Sequence, residues 1–151
     1  MTRMPQRQRT PHRQTGEPIS IRLSVATDRL VAAEAKRTRR SKSAVVSAFT
    51  EETARIRRFP GIGFRGDDAA RRAWVIGSGL DVWELIQMLE DFGSAERLLA
   101  ESHVTERHVR LALAYRDAYL EEIADAVAEN RRSAEELKAL YPFIGIADER
   151  P

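Results

Sequence analysis

Across residues 19–25 apolar and polar side chains alternate without interruption. Ile19, Ile21, Leu23 and Val25 fall on one face, and Ser20, Arg22 and Ser24 on the other. A period of two is the mark of a half-buried β-strand. A lone strand leaves two unpaired edges and requires a partner. The cheapest partner is the same strand from a second copy of the chain. The period then changes. Thr27 is an N-cap for a helix over roughly 28–38, with Leu30, Val31, Ala33 and Ala35 as a modest apolar face. Ser41 caps a second helix over roughly 42–57. In that helix Val45, Val46, Phe49, Thr53 and Ile56 recur at helical spacing and predict a buried stripe. So short a unit has too small a core for a stable monomer, so dimerisation must supply the missing burial.

Phe59-Pro60-Gly61-Ile62-Gly63 breaks the second helix, and the boundary between two units falls there. Two short strands, 62–65 and 73–76, are joined by a turn that begins at Gly66-Asp67-Asp68, which predicts a hairpin. Gly77-Ser78-Gly79 is a tight connection. A helix over 82–92 comes next, with Asp81 as its N-cap and Trp83, Leu85, Ile86 and Leu89 as core residues; Gly93 ends it. Ser94 caps a short helix over 95–101, and Thr105 caps one that begins at Glu106. From 106 to 129 there is neither Gly nor Pro, which predicts one helix about 36 Å long. Its apolar residues are Val109, Leu113, Tyr119, Ile123 and Val127. Ser133 and Glu136 form a capping box for a last helix over 134–140, which Pro142 stops. The chain thus divides into a basic arm (1–17), a strand-helix-helix unit (18–58), a hairpin-and-helix unit (59–132), and a final helix with its tail (133–151).

Charge sharpens that division. Residues 1–66 hold 15 Lys/Arg and 5 Asp/Glu, a net of +10, and residues 67–151 hold 10 and 18, a net of −8. The basic half suits a polyanion, and the acidic half would be repelled by one and suits a protein partner or a solvated scaffold. Residues 1–17 are rich in Arg, Gln, Pro and Thr, the composition of a disordered arm. Its Arg3, Arg7, Arg9 and Arg13 either lie along phosphates or form a solvated tail. Cysteine is absent, which excludes disulfides and thiolate metal sites, and three scattered histidines give no metal-ligand spacing. No cofactor and no metal are expected. No apolar run approaches membrane-spanning length and no secretory core opens the chain, so a cytoplasmic location without a membrane partner is expected.

A two-stranded ribbon fits the major groove of B-DNA. On this chain its outward face would carry Ser20, Arg22 and Ser24 to the base edges, Arg being the usual bidentate donor to guanine. At the junction, Arg39, Arg40, Ser41, Lys42 and Ser43 surround a helix N-terminus, where free N–H groups and the helix dipole favour a phosphate. The bland alternative is an ordinary α/β fragment with polar residues facing solvent.

The order of these parts resembles the ribbon-helix-helix repressors, the Arc, MetJ and CopG class. The matching residues are Ile19-Ser20-Ile21-Arg22-Leu23, Asp28-Arg29-Leu30 and Arg40-Ser41-Lys42-Ser43-Ala44-Val45-Val46. The resemblance covers about 18–57. It implies an intertwined homodimer, with residues 20, 22 and 24 in the major groove and the second helix's start on the DNA backbone. Arg39-Arg40 departs from it, standing where a small turn residue is often found.

The second half resembles small winged-helix antitoxin domains that accompany toxins with a PIN-like ribonuclease fold. The matching runs are Trp74-Val75-Ile76-Gly77-Ser78-Gly79-Leu80-Asp81-Val82-Trp83-Glu84-Leu85, Gly93-Ser94-Ala95-Glu96-Arg97-Leu98-Leu99 and Val104 through Tyr115, extending to Asn130. Ser78-Gly79 departs from the Gly-Thr-Arg run often found in that family. Arg107, His108 and Arg110 lie at the start of a helix that either recognises DNA or only packs. The tail residues Tyr141, Phe143, Ile144 and Ile146 either anchor in a partner's groove or fold back onto the preceding helix.

Together these readings predict a mainly α protein: an N-terminal ribbon-helix-helix, and a C-terminal winged helix-turn-helix-like domain with a small β-hairpin. The expected function is a non-enzymatic DNA-binding antitoxin that autorepresses its operon. Its expected partners are operator DNA, itself as a homodimer or higher, and a PIN-like toxin. The alternative is a stand-alone repressor whose second half oligomerises or binds an effector. No nucleophile–base–orienter set is visible to support an enzyme.

Overall fold

The computed structural model describes residues 16–67 and 71–141. Within them the chain is mainly helical. The order is α1 (Val25–Thr38), α2 (Lys42–Arg58), β1 (Ile62–Arg65), β2 (Arg72–Val75), α3 (Val82–Phe92), α4 (Ala95–Glu101), α5 (Glu106–Ala118), α6 (Leu120–Asn130) and α7 (Ala134–Leu140).

The first helix starts earlier than its sequence predicts. Ser24, not Thr27, is the N-cap of α1, and its side chain accepts the Thr27 N–H at 3.2 Å. Val25, expected at the end of a strand, is therefore the first helical residue. Among the described residues, 16–24 pair with no strand of the single chain, because β-structure needs a hydrogen-bonding neighbour and none is adjacent in sequence. Asp28 in the first turn and Lys36 and Arg37 in the last complement the helix dipole. At the other end Arg39 takes φ 55°, the left-handed position usually given to glycine. Arg40 N–H reaches Ala35 O at 3.0 Å, closing the helix as a Schellman turn. The departure at Arg39-Arg40 is thus accommodated, at the cost of a strained φ.

Ser41 caps α2 by accepting Ala44 N–H at 3.1 Å. The α1–α2 pair buries only Val31, Ala35 and Val45, with Leu23 and Val46 packed against them. Most of the predicted stripe on α2 is not buried: Val46 is half-buried, while Phe49, Thr53 and Ile56 are exposed. One helix partner covers only part of an apolar face this wide.

The larger core lies in the second half. Strands β1 and β2 pair antiparallel, with Ile62 opposite Val75 and Gly63 opposite Trp74. The second strand is one residue earlier than expected, and residues 68–70 of the turn fall outside the described residues. Gly63 is required by close approach, since a Cβ there would meet Trp74 Nε1 at 2.7 Å. Helix α3 buries Val82, Leu85 and Ile86, whereas Trp83 and Leu89 are half-buried at the edge. They pack with Ile62, Val75, Leu98, Val109, Ala112, Tyr115, Ile123 and Val127.

The long helix expected over 106–129 is two helices. Tyr119 leaves helical geometry (φ −135°, ψ 51°) and separates α5 from α6. No Gly or Pro causes this. Tertiary packing does: Phe59 meets Tyr115 and Tyr119 edge-on, with ring centroids 5.4 and 6.2 Å apart. The buried face is also shifted. Ala112 and Tyr115 are buried in α5, while Leu113 is only half-buried. Ser133 and Glu136 cap α7 reciprocally.

Candidate functional site

Along residues 19–24, which form neither helix nor strand, Ile19 is 82% exposed and Ile21 54% exposed, while Leu23 is half-buried against the α1–α2 core. Ser20 and Arg22 are exposed. Ser24 is also at the surface, but its hydroxyl lies 2.9 Å from Thr27 Oγ1 as well as capping α1. Of the three outward residues, Ser20 and Arg22 keep their side chains clear of such a cap.

At the junction of α1 and α2 the five expected anion contacts lie together at the surface, but they are not equivalent. Ser41 commits its oxygen to the cap. Arg40 donates to Ala44 O at 3.2 Å. Lys42 Nζ pairs with Asp28 Oδ1 of α1. Arg39 and Ser43 are exposed. The first N–H groups of α2, at Lys42 and Ser43, belong to the turn that has no intrahelical acceptor.

Between residues 21–31 and α2 lies an apolar groove of about 430 Å³, lined by residues that include Ile21, Leu23, Val31, Val46, Phe49 and Thr53. The predicted stripe of α2 contributes much of it, together with Ile21, Leu23 and α1. Val25 and Leu30, each 70% exposed, add to the uncovered apolar surface of the first unit.

A second groove, of about 540 Å³, runs between α3 and α6. Ile86, Leu120, Ile123 and Val127 contribute apolar surface, and Glu90, Arg116 and Arg131 contribute charge. Leu140 and Tyr141, at the end of α7, are 54% and 41% exposed. Of the expected tail anchors only Tyr141 is described; Phe143, Ile144 and Ile146 lie outside the described residues. Arg107 and Arg110 are exposed at the start of α5, and His108 is held there, its Nδ1 accepting Thr105 N–H at 3.3 Å.

Hydrophobic pattern alone does not find Arg55, a residue that ties the two halves together. From α2 it donates to Tyr115 Oη at 2.8 Å, Glu122 Oε2 at 2.6 Å and Glu51 Oε1 at 2.8 Å. Its guanidinium also stacks 3.9 Å from the centre of the Tyr119 ring. Burial works against its charge, but the hydrogen bonds with Glu122, Tyr115 and Glu51 more than offset this and raise its pKa. Nearby, Arg71 grips Glu52 of α2 with two bonds of 2.5 and 2.9 Å. Tyr115 and Tyr119, four residues apart in a chain with only three tyrosines, are the sequence signal for this cluster.

Tyr115 accepts from Arg55 and donates to Glu122 at 3.1 Å. Burial pushes its phenol above the ordinary value, against the opposing hydrogen bond from Arg55. A raised folded-state pKa favours the fold while the group is protonated. The contribution is complete below the unfolded value of about 10 and is lost as pH rises toward the folded value. Denaturant unfolding between about pH 8 and 11 should therefore show a loss beginning near pH 10 that is absent from Tyr115→Phe. Parallel profiles for the two proteins would contradict it.

Among the described residues no group of His, Asp and Glu could hold a metal ion, and no helix is long and apolar enough to cross a membrane. No protein-family model, curated protein or solved structure matches the chain.

Proposed function

We propose that this chain is a DNA-binding antitoxin and autorepressor: a ribbon-helix-helix dimer carrying a winged-helix-like second unit that neutralises a PIN-like ribonuclease. The observation that carries the proposal is the segment at residues 19–24, which alternates apolar and polar and forms neither helix nor strand in the single chain. It has no strand partner among the described residues and lies beside an apolar groove between α1 and α2. A second copy satisfies both needs at once. Its segment pairs antiparallel with the first, and its helices cover Phe49, Val46 and Ile21. The paired segments then present Ser20 and Arg22 from both copies, with the two α2 N-termini flanking them. The excess of positive charge in the same half supports a polyanionic ligand.

The partner-binding half of the proposal draws support from different features. The second half is acidic. It leaves an apolar groove open between α3 and α6, and α7 ends in exposed Leu140 and Tyr141. These are features of a protein-binding surface.

Fluorescence anisotropy on the chain's own upstream DNA and on a scrambled duplex tests the DNA reading. Arg22→Ala should cost roughly 1–3 kcal/mol on the native site and much less on the scrambled one, as a bidentate base contact requires. Equal losses on both would reject base readout by the ribbon. Co-purification with the product of an adjacent small gene, together with loss of that product's ribonuclease activity, tests the antitoxin reading.

A further inference from the structure

We infer that Asp28 is a built-in competitor for DNA: it occupies Lys42 in the free chain and is displaced by a backbone phosphate. This rests on the DNA reading and assigns a regulatory contact to the same site. Asp28 sits in the first turn of α1 and Lys42 is the first residue of α2, so the pair ties the start of one helix to the start of the next. Lys42 Nζ and Asp28 Oδ1 are in direct contact, and their side chains are 50% and 47% exposed. Both ends are therefore open to an approaching polyanion. The carboxylate is not needed elsewhere as a cap, because Ser24 and Ser41 perform that role for the two helices.

The chemistry is an exchange of anions on one ammonium. A carboxylate and a phosphate oxygen are both good acceptors for a lysine. The phosphate would lie at the start of α2, where that helix's dipole adds to the attraction as the dipole of α1 does for Asp28. While Lys42 holds Asp28, the junction presents a neutral pair and one fewer cation. When phosphate takes Lys42, Asp28 is left facing solvent and the DNA, a position it tolerates because it is half exposed. The contact thus lowers the electrostatic, sequence-independent part of binding without touching base readout. Its expected effect is to shorten residence on random DNA relative to a chain without Asp28.

The test is a double-mutant cycle in the full chain, using anisotropy on native-site and scrambled duplexes across a salt series, with circular dichroism to confirm equal helicity. Asp28→Asn should tighten binding about two- to fivefold on both duplexes and steepen the salt dependence by about one counterion. In the Lys42→Ala background the same change should have no effect. Weaker binding by Asp28→Asn would overturn the inference, because Asp28 would then orient Lys42 for DNA. A gain that persists without Lys42 would also overturn it, as a mere effect of net charge. Absence of binding by the unaltered chain to either duplex would instead reject the DNA reading on which the inference rests.

Discussion

Arg55→Met is expected to lower the unfolding free energy by roughly 2–4 kcal/mol, which at this chain length corresponds to a fall of about 5–15 °C in melting temperature. Met keeps the aliphatic stem and removes the charge and its donors. Three losses combine. The Tyr119 ring loses a cation at stacking distance, worth about 1–2 kcal/mol when partly desolvated. The buried Tyr115 hydroxyl loses its donor and keeps only Glu122. Glu122 and Glu51 lose a partner, but their side chains are 42% and 62% exposed, so water replaces much of that pairing. The loss should therefore fall short of the roughly 3–5 kcal/mol typical of a broken fully buried pair. Thermal unfolding by circular dichroism measures it. A change under about 0.5 kcal/mol, the level of an ordinary surface substitution, would mean that Arg55 does not hold the two halves together.

The second large effect is expected from Phe49→Asp. Phe49 is 45% exposed in the single chain, so the substitution should leave the monomer's helices intact. In an isologous dimer each copy contributes it once, so one substitution places two charges in the same apolar interface. Loss of a central aromatic anchor costs about 2 kcal/mol or more per site. The dimer should thus weaken by roughly 4 kcal/mol or more, about a thousandfold in dissociation constant. DNA binding should fall with it, because the proposed ribbon requires two copies of residues 19–24. Sedimentation equilibrium and anisotropy on the same samples separate the steps. A Phe49→Asp protein that stays dimeric would place the dimer interface elsewhere and remove the main support for the ribbon.

Local signals are legible in the sequence wherever the cause of an element is local. Ser41, Ser94, Thr105 and Ser133 cap helices because a short hydroxyl side chain reaches an N–H three residues on. Gly93 ends α3 with φ 75°, a backbone state open to glycine. The failures have distant causes. The break at Tyr119 depends on Phe59, at the far end of α2. Arg55 is invisible to an apolar pattern, and its partners Tyr115 and Glu122 are 60 and 67 residues away. Alternation places Ser24 on a strand face because it does not reveal that a serine has been captured by the next helix. The stripe Val45, Val46, Phe49, Thr53 and Ile56 is recognisable as apolar, but periodicity cannot say whether its cover comes from the same chain or another. Of the candidate site, the position of the junction residues is legible; the pairing of Lys42 with Asp28, a contact between two helices, is not.

Helix α2 carries Phe49 on the open groove and Arg55 on the second unit, which makes it a shaft with two keyed faces. Each residue added to a helix turns the distal part by about 100° and advances it by about 1.5 Å. One inserted residue between those positions would swing Arg55 away from Tyr115 and Glu122 while the groove kept its place. About seven inserted residues would nearly restore the phase, leaving about 20° of twist, but would carry the second unit about 10 Å farther from the groove. The two halves therefore cannot be exchanged as independent cassettes. A graft must match the angular phase and length of α2 as well as the sequence at its ends.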